Sequence, residues 1–152
     1  MKRLFESIIK TTSNCGNIEI ILYLDEDDLE SHKIHAPEIS LKKVVKPREK
    51  MGKVVNLCCK ASKGKCLINI NDDVIFRTQN WELLILDKIK SIPDEVYLFY
   101  ANDLRSRKGN PTFPVISRKT YELMDGFSPD DYIRFFIETH YQQSFLFYSG
   151  NI

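Results

Sequence analysis

No stretch of this 152-residue chain approaches the roughly 20 consecutive apolar residues that a membrane-crossing helix needs. The N-terminal "MKRLFESIIKTTS" also carries a glutamate and hydroxylated residues where a signal peptide would place its apolar centre. Both absences place the protein, as an expectation, in the cytoplasm without a membrane span. An excess of one charge is missing too. With 22 basic against 21 acidic residues the net charge is +1, which builds no field of one sign for nucleic acid or a membrane surface. Cysteine is sparse: Cys15, Cys58, Cys59 and Cys66 are too few and too unevenly spaced for a disulfide framework. They also lack the paired spacings of a zinc site, so reduced and mostly buried thiols are expected. His32 and His35 form an HxxH in a charged segment, with no further ligand placed to complete a metal site. There is no internal repeat and no low-complexity tract. At 43% hydrophobic and 28% charged, residues 1–152 are expected to form one globular domain with a true core.

What is present is an alternation of helical and extended patterns. In "KRLFESIIKTTS", Leu4, Phe5, Ile8 and Ile9 recur at helical spacing, and "NCGN" follows as a stop. Ile18 to Leu24 is a β-branched run of strand length. From Ser31 to Lys50 the chain is polar, basic and broken by Pro37 and Pro47, with room for at most one short strand around Val44 and Val45. A helix is expected in "KVVNLCCKAS", a strand in "CLININ", a helix from Trp81 to Ile89 and a strand in "EVYLFYA". "NDLRSRKGNPTFPVIS" reads as a loop with a basic cluster, and "RKTYELMDGF" as a short helix ending at Gly126. Ser128, Pro129 and two acids have the pattern of a capped first turn for a last helix in "SPDDYIRFFIETHYQQ". Strands alternating with helices predict an α/β fold with much of its sheet parallel.

Two of the expected strands end in acids, in "YLDEDD" and in "INDDV". In open α/β sheets, ligands bind beyond the carboxyl ends of the strands. Mg²⁺ or Mn²⁺ is commonly shared there between one or two carboxylates and a substrate's phosphates. Asp72 and Asp73 therefore suit a metal-bound diphosphate, although either cluster alone is also what a solvated turn would contain.

The succession "RLFESIIKTTSN", "IEIILYLDEDD", "GKVVNLCCKASKGKCLININDDVIF", "NWELLIL" and "ISRKTYELMDGFSP" resembles a family-two glycosyltransferase with the GT-A fold. Nearly the whole chain takes part. The resemblance implies a mixed, mostly parallel central sheet flanked by helices, with residues 1–101 as a nucleotide-binding part and 102–152 as an acceptor-side part. It implies a nucleotide-sugar donor, most simply a UDP-sugar, and a carbohydrate or other hydroxyl acceptor. By the same resemblance Asp73 would ligate Mn²⁺ or Mg²⁺, with Asp72 on the ribose or the same metal. Asp25 and Asp27 would hold the nucleoside, and Gly52 and Asn56 would match the family's helix before the acidic pair. Ser117 and Arg118 would line the acceptor side, and Glu138 would be the general base, with Asp131 as runner-up. Arg105, Arg107 and Lys108 are candidates for closing over the diphosphate. Trp81 opens an amphipathic helix and is expected in the core.

Family members begin with an apolar strand ending in a "PT.NR"-like turn, whereas this sequence starts inside the helix that would follow it. The fold is therefore expected to be shortened at its N-terminus. Two other readings use the same residues: a non-catalytic glycosyltransferase remnant or partner subunit, and a nucleotidyltransferase built on the same acidic pair.

Overall fold

A computed structural model describes residues 1–101, 112–133 and 137–149. The chain opens with helix α1 (Lys2–Thr11), which buries Leu4, Phe5 and Ile8 along one face. Its two buried hydroxyls bond locally, Ser7 Oγ to the Leu4 carbonyl and Thr11 Oγ1 to the Ser7 carbonyl. Strand β1 (Glu19–Asp25) follows a short 3₁₀ turn and buries alternate residues Leu22 and Leu24 against α1.

β2 (Ser40–Lys46) then runs parallel to β1 in register from Glu19 opposite Ser40 to Asp25 opposite Lys46. It is longer than the fragment expected around Val44 and Val45. Its lysines hid it in the sequence, yet an exposed edge strand accommodates lysine well. Lys42 and Lys43 donate to the carbonyls of Ala61 and His32.

Helix α2 (Met51–Ala61) leads to β3 (Cys66–Ile68), and α3 (Trp81–Lys90) leads to β4 (Leu98–Tyr100). β5 (Pro114–Ser117) lies between β3 and β4 and is antiparallel to both. This strand falls inside the segment expected to be a loop. It is short and opens on proline, which is tolerated at a strand's first residue, and all four of its residues are buried. The expected mostly parallel sheet is thus found, among the described residues, as a parallel pair and an antiparallel triplet. The fold is mixed α/β.

α4 (Arg118–Leu123) and α5 (Ile137–Ser149) complete the chain. The last helix was expected to be capped by Ser128, but residues 128–133 form turns. Ser128 Oγ is buried without a hydrogen-bond partner among the described residues, and the Pro129 carbonyl accepts from the Tyr132 amide in a tight turn.

Among the described residues two apolar clusters form the core. One gathers Val55 and Cys59 of α2, Leu67, Ile116, Tyr121 and Phe127, with Ile137 and Tyr141 of α5. Tyr141 stacks on Phe127 at 4.7 Å between ring centres. The other surrounds α1 and takes in Leu22, Leu24, Ala36 and Ile39, with Ile70, Val74, Phe76 and Trp81 packed against it. Among the described residues no helix is long and apolar enough to cross a membrane.

Candidate functional site

Asp72 and Asp73 occupy the middle of a turn closed by the Val74 amide and the Asn71 carbonyl at 3.4 Å. The "CLININ" run leaves the ladder after Ile68, so the acids do not end a long buried strand. Ile70, Val74 and Phe76 on either side of them instead anchor the turn to the α1 cluster. The Phe76 amide donates to Ser7 Oγ of α1 at 3.0 Å. Both carboxylates stand exposed. An Asp72 oxygen lies 3.9 Å from the amino group of Met1, at 68% side-chain exposure, so water screens that pair strongly.

The other acidic end leaves the same cluster through Leu22 and Leu24. Asp25 is opposite Lys46 in the parallel ladder, and its Oδ2 accepts from Arg48 Nε at 2.9 Å. Its backbone carbonyl lies 2.9 Å from His32 Nε2. Asp27 is exposed, and with Asp25 and Asp28 it raises the pKa of Arg48, the Asp25 hydrogen bond contributing most. The shared packing around α1 is what relates these two acidic ends. His32 and His35 do not come together with other ligands: among the described residues no group of three or more His, Cys, Asp or Glu side chains could hold a metal ion.

Other candidates meet in a different place, at the start of α2. The Gly52 amide donates to the Tyr132 carbonyl at 2.9 Å and the Met51 amide to the Ile133 carbonyl at 3.3 Å, which satisfies two of the helix's free N–H groups. A Cβ on Gly52 would stand 2.1 Å from the Pro129 carbonyl oxygen, so only glycine allows this approach. Four residues on, the buried Asn56 donates through Nδ2 to the Ser128 carbonyl and to Asp130 Oδ1, both at 2.8 Å. Its Oδ1 accepts from the Phe127 amide at 2.7 Å. Gly126 passes beside it at φ +133, where a Cβ would come within 3.2 Å of Asn56 Oδ1. Gly52 and Asn56 together join α2 to the turn after α4, and both polar ends of Asn56 are occupied by that joint.

Ser117 and Arg118 are also used in joining elements. Ser117 Oγ caps α4 by accepting from the Thr120 amide at 2.8 Å. Arg118 spreads its guanidinium over the far end of α2, donating to the carbonyls of Gly64, Cys59 and Ser62 and to Ser62 Oγ. Asp131 accepts from Lys50 Nζ at 2.6 Å, and that bond together with the lysine's charge holds its carboxyl below the ordinary value. A lowered pKa makes Asp131 a weaker proton acceptor. Glu138 is the second residue of α5, and its side chain is outside the described set. Arg105, Arg107 and Lys108 also lie outside the described residues.

The Trp81 ring lies 4.5 Å from that of Phe76 between centres, tilted at 42°, and its indole N–H donates to Thr12 Oγ1 at 3.0 Å, so it packs against the α1 cluster. Beside it is a residue that sequence reasoning passed over. Glu82 is 4% exposed, and its Oε1 accepts from the Ser13 amide at 2.6 Å, from the Asn14 amide at 3.3 Å and from Ser13 Oγ. Burial pushes its carboxyl up, but these hydrogen bonds outweigh burial and hold it below the ordinary 4.5. An acid in the first turn of a helix gives no sequence signal that it will be buried. All four cysteines are free, and burial pushes Cys58 and Cys66 up to about 11 and Cys59 to about 12, which makes them poor nucleophiles.

Compared with protein-family models, curated proteins and solved structures, the chain matches none.

Proposed function

We propose that this chain is a metal-dependent glycosyltransferase that moves a sugar from a nucleotide-diphosphate sugar to an acceptor hydroxyl. The observation that carries the reading is the exposed Asp72–Asp73 turn, held by apolar side chains on the same α1 cluster from which Asp25 and Asp27 emerge. Adjacent carboxylates facing water fit a hard cation that keeps the rest of its shell for water and phosphate oxygens. Asp73 and Asp72 would hold Mn²⁺ or Mg²⁺, which when bound neutralises charge on the departing diphosphate. Asp25 and Asp27 would take the nucleoside. In the transfer the acceptor oxygen bonds to the anomeric carbon as the bond to the diphosphate oxygen breaks, and the hydroxyl proton goes to Glu138. The GT-A fold, with a mostly parallel sheet, belongs to this proposal.

A second reading, a non-catalytic glycosyltransferase remnant or partner subunit, draws on a specific observation. Gly52, Asn56, Ser117 and Arg118 each carry out a joining role that needs no ligand.

Calorimetry with UDP and Mn²⁺ tests the first step, and Asp73→Ala is expected to weaken binding at least about tenfold. Glu138→Gln should keep binding while slowing donor turnover by about a hundredfold or more. Metal-dependent binding without turnover in the unaltered protein selects the second reading. No nucleotide binding with Mn²⁺ present rules out the transferase, and pyrophosphate release from a nucleoside triphosphate would make the chain a nucleotidyltransferase.

A further inference from the structure

Helix α3 turns its leucines outward. Helices α1 and α2 bury apolar side chains along one face, whereas the one residue that α3 buries is Glu82. The printed ties of α3 to the rest of the molecule lie at its start. There Glu82 accepts from the Ser13 and Asn14 amides, the Trp81 indole donates to Thr12 Oγ1, and the Asn80 amide donates to the Thr11 carbonyl. Leu83, Leu84 and Leu86 are left outside at 45, 60 and 43% exposure. Large apolar side chains clustered in this way mark a surface that another molecule covers.

The patch is not purely apolar. Leu83, Leu86, Asp87 and Lys90 stand at i, i+3, i+4 and i+7 and so share one face of α3, with Leu84 beside it. Asp87 and Lys90 are exposed and make no ion pair among the described residues. This mixture decides between occupants. An anionic lipid surface would repel Asp87 within the stripe and Asp94 and Glu95 just past the helix. An uncharged apolar segment would cover Asp87 and Lys90 without pairing them, which costs free energy. A second copy of α3 supplies leucines for the leucines, a base for the acid and an acid for the base.

We propose that α3 is the contact between two copies of this chain, packed antiparallel about a twofold axis near Leu86 and Asp87. A twofold contact repeats every pair, so each interaction occurs twice. With that centre, Leu86 meets Leu86 of the second copy. Side chains on a helix lean toward its N-terminus, so Lys90 lays its methylene stem along Leu83 of the second copy and brings its ammonium group to Asp87 of that copy. The exposed leucines and two charged residues fall short of the roughly 800 Å² per partner of a standard interface, so the dimer is weak, with a Kd of about 0.1 mM.

Sedimentation equilibrium of the full chain, from about 5 μM to about 0.5 mM, brackets that Kd and should show the mass rising from one chain toward two. The double variant Leu83→Gln, Leu86→Gln alters exposed side chains only. Its circular dichroism spectrum should match that of the unaltered chain while Kd rises at least about tenfold. Charge reversal tests what the second molecule is. Asp87→Lys and Lys90→Glu should each associate at least about tenfold more weakly alone, because like charges then meet. Mixed in equal amounts, the two variants should associate about as tightly as the unaltered chain, since each supplies the sign that the other lacks. A chain that stays monomeric across the range overturns the proposal, whether or not it binds phosphatidylserine vesicles or another protein. So does a dimer whose Kd is unchanged in the double leucine variant, or a mixture of the two charge variants that associates no better than either alone.

Discussion

Glu82 shows how one side chain joins distant parts of the chain. It stands in the first turn of α3, yet its hydrogen bonds run to Ser13 and Asn14, just beyond the end of α1. The Asn80 amide strengthens the same contact by donating to the Thr11 carbonyl at 2.7 Å. Glu82→Gln removes the charge and keeps the volume, so unfolding in urea at pH 7 should show a loss of about 1.5–3 kcal/mol, the range for hydrogen bonds to charged groups. The pH dependence has a definite sign. A carboxyl with a lowered pKa in the folded state adds stability above its unfolded value near 4.5, and that stability disappears as pH falls through the folded value. Urea midpoints taken from pH 7 down to pH 3 should therefore converge for the two proteins. Parallel curves would mean that the charge contributes nothing.

At the scale of the element, α2 is held at both ends by parts of the chain far away in sequence. Carbonyls of Tyr132 and Ile133 meet its first amides, and the Arg118 guanidinium covers its last carbonyls. A planar fork of donors suits several carbonyls at once, which the point charge of lysine does not. Arg118→Lys should therefore lower the urea midpoint by an amount equivalent to about 1–2 kcal/mol, and Arg118→Met somewhat more. An unchanged midpoint in both would remove the capping role. Neither tie was legible in the sequence, because residues more than fifty positions apart give no local signal of meeting. Apolar periodicity did reveal α1, β1 and α2, whose buried faces repeat at regular spacing. The helical patterns of α3 and α4 were legible too, although α3 buries only Glu82 and α4 only the adjacent Thr120 and Tyr121. Pattern failed for β5, too short to show a period, and for residues 128–133, where a Ser-Pro-acid pattern suited to a helix start gave way to hydrogen bonds with α2. In the candidate site the adjacent acids Asp72 and Asp73 could be read directly. The occupation of Asn56 could not, since an amide on a helix looks the same whether it faces a ligand or a turn.

Over the whole molecule, the two apolar clusters are coupled through single elements. Leu67 of β3 lies in one, while Ile70 and Val74, a few residues on, pack in the other. α2 places Val55 and Cys59 in the first cluster and also packs against β1, whose Leu22 and Leu24 belong to the second. Damage to one cluster should therefore reach the other. Gly52→Ala tests this, because its Cβ would meet the Pro129 carbonyl and force apart the joint at the start of α2. The cost should be about 3 kcal/mol, the upper range for overpacking. The single tryptophan reports from the opposite side, since Trp81 packs with α1 and Phe76. If the chain unfolds as one unit, Trp81 fluorescence and far-ultraviolet circular dichroism should share one urea midpoint in the unaltered protein. They should shift together in Gly52→Ala, although the substitution touches nothing near the indole. A Trp81 transition that stays in place while the circular dichroism midpoint falls would show that the α1 cluster folds independently, leaving the Asp72–Asp73 turn anchored to a unit of its own.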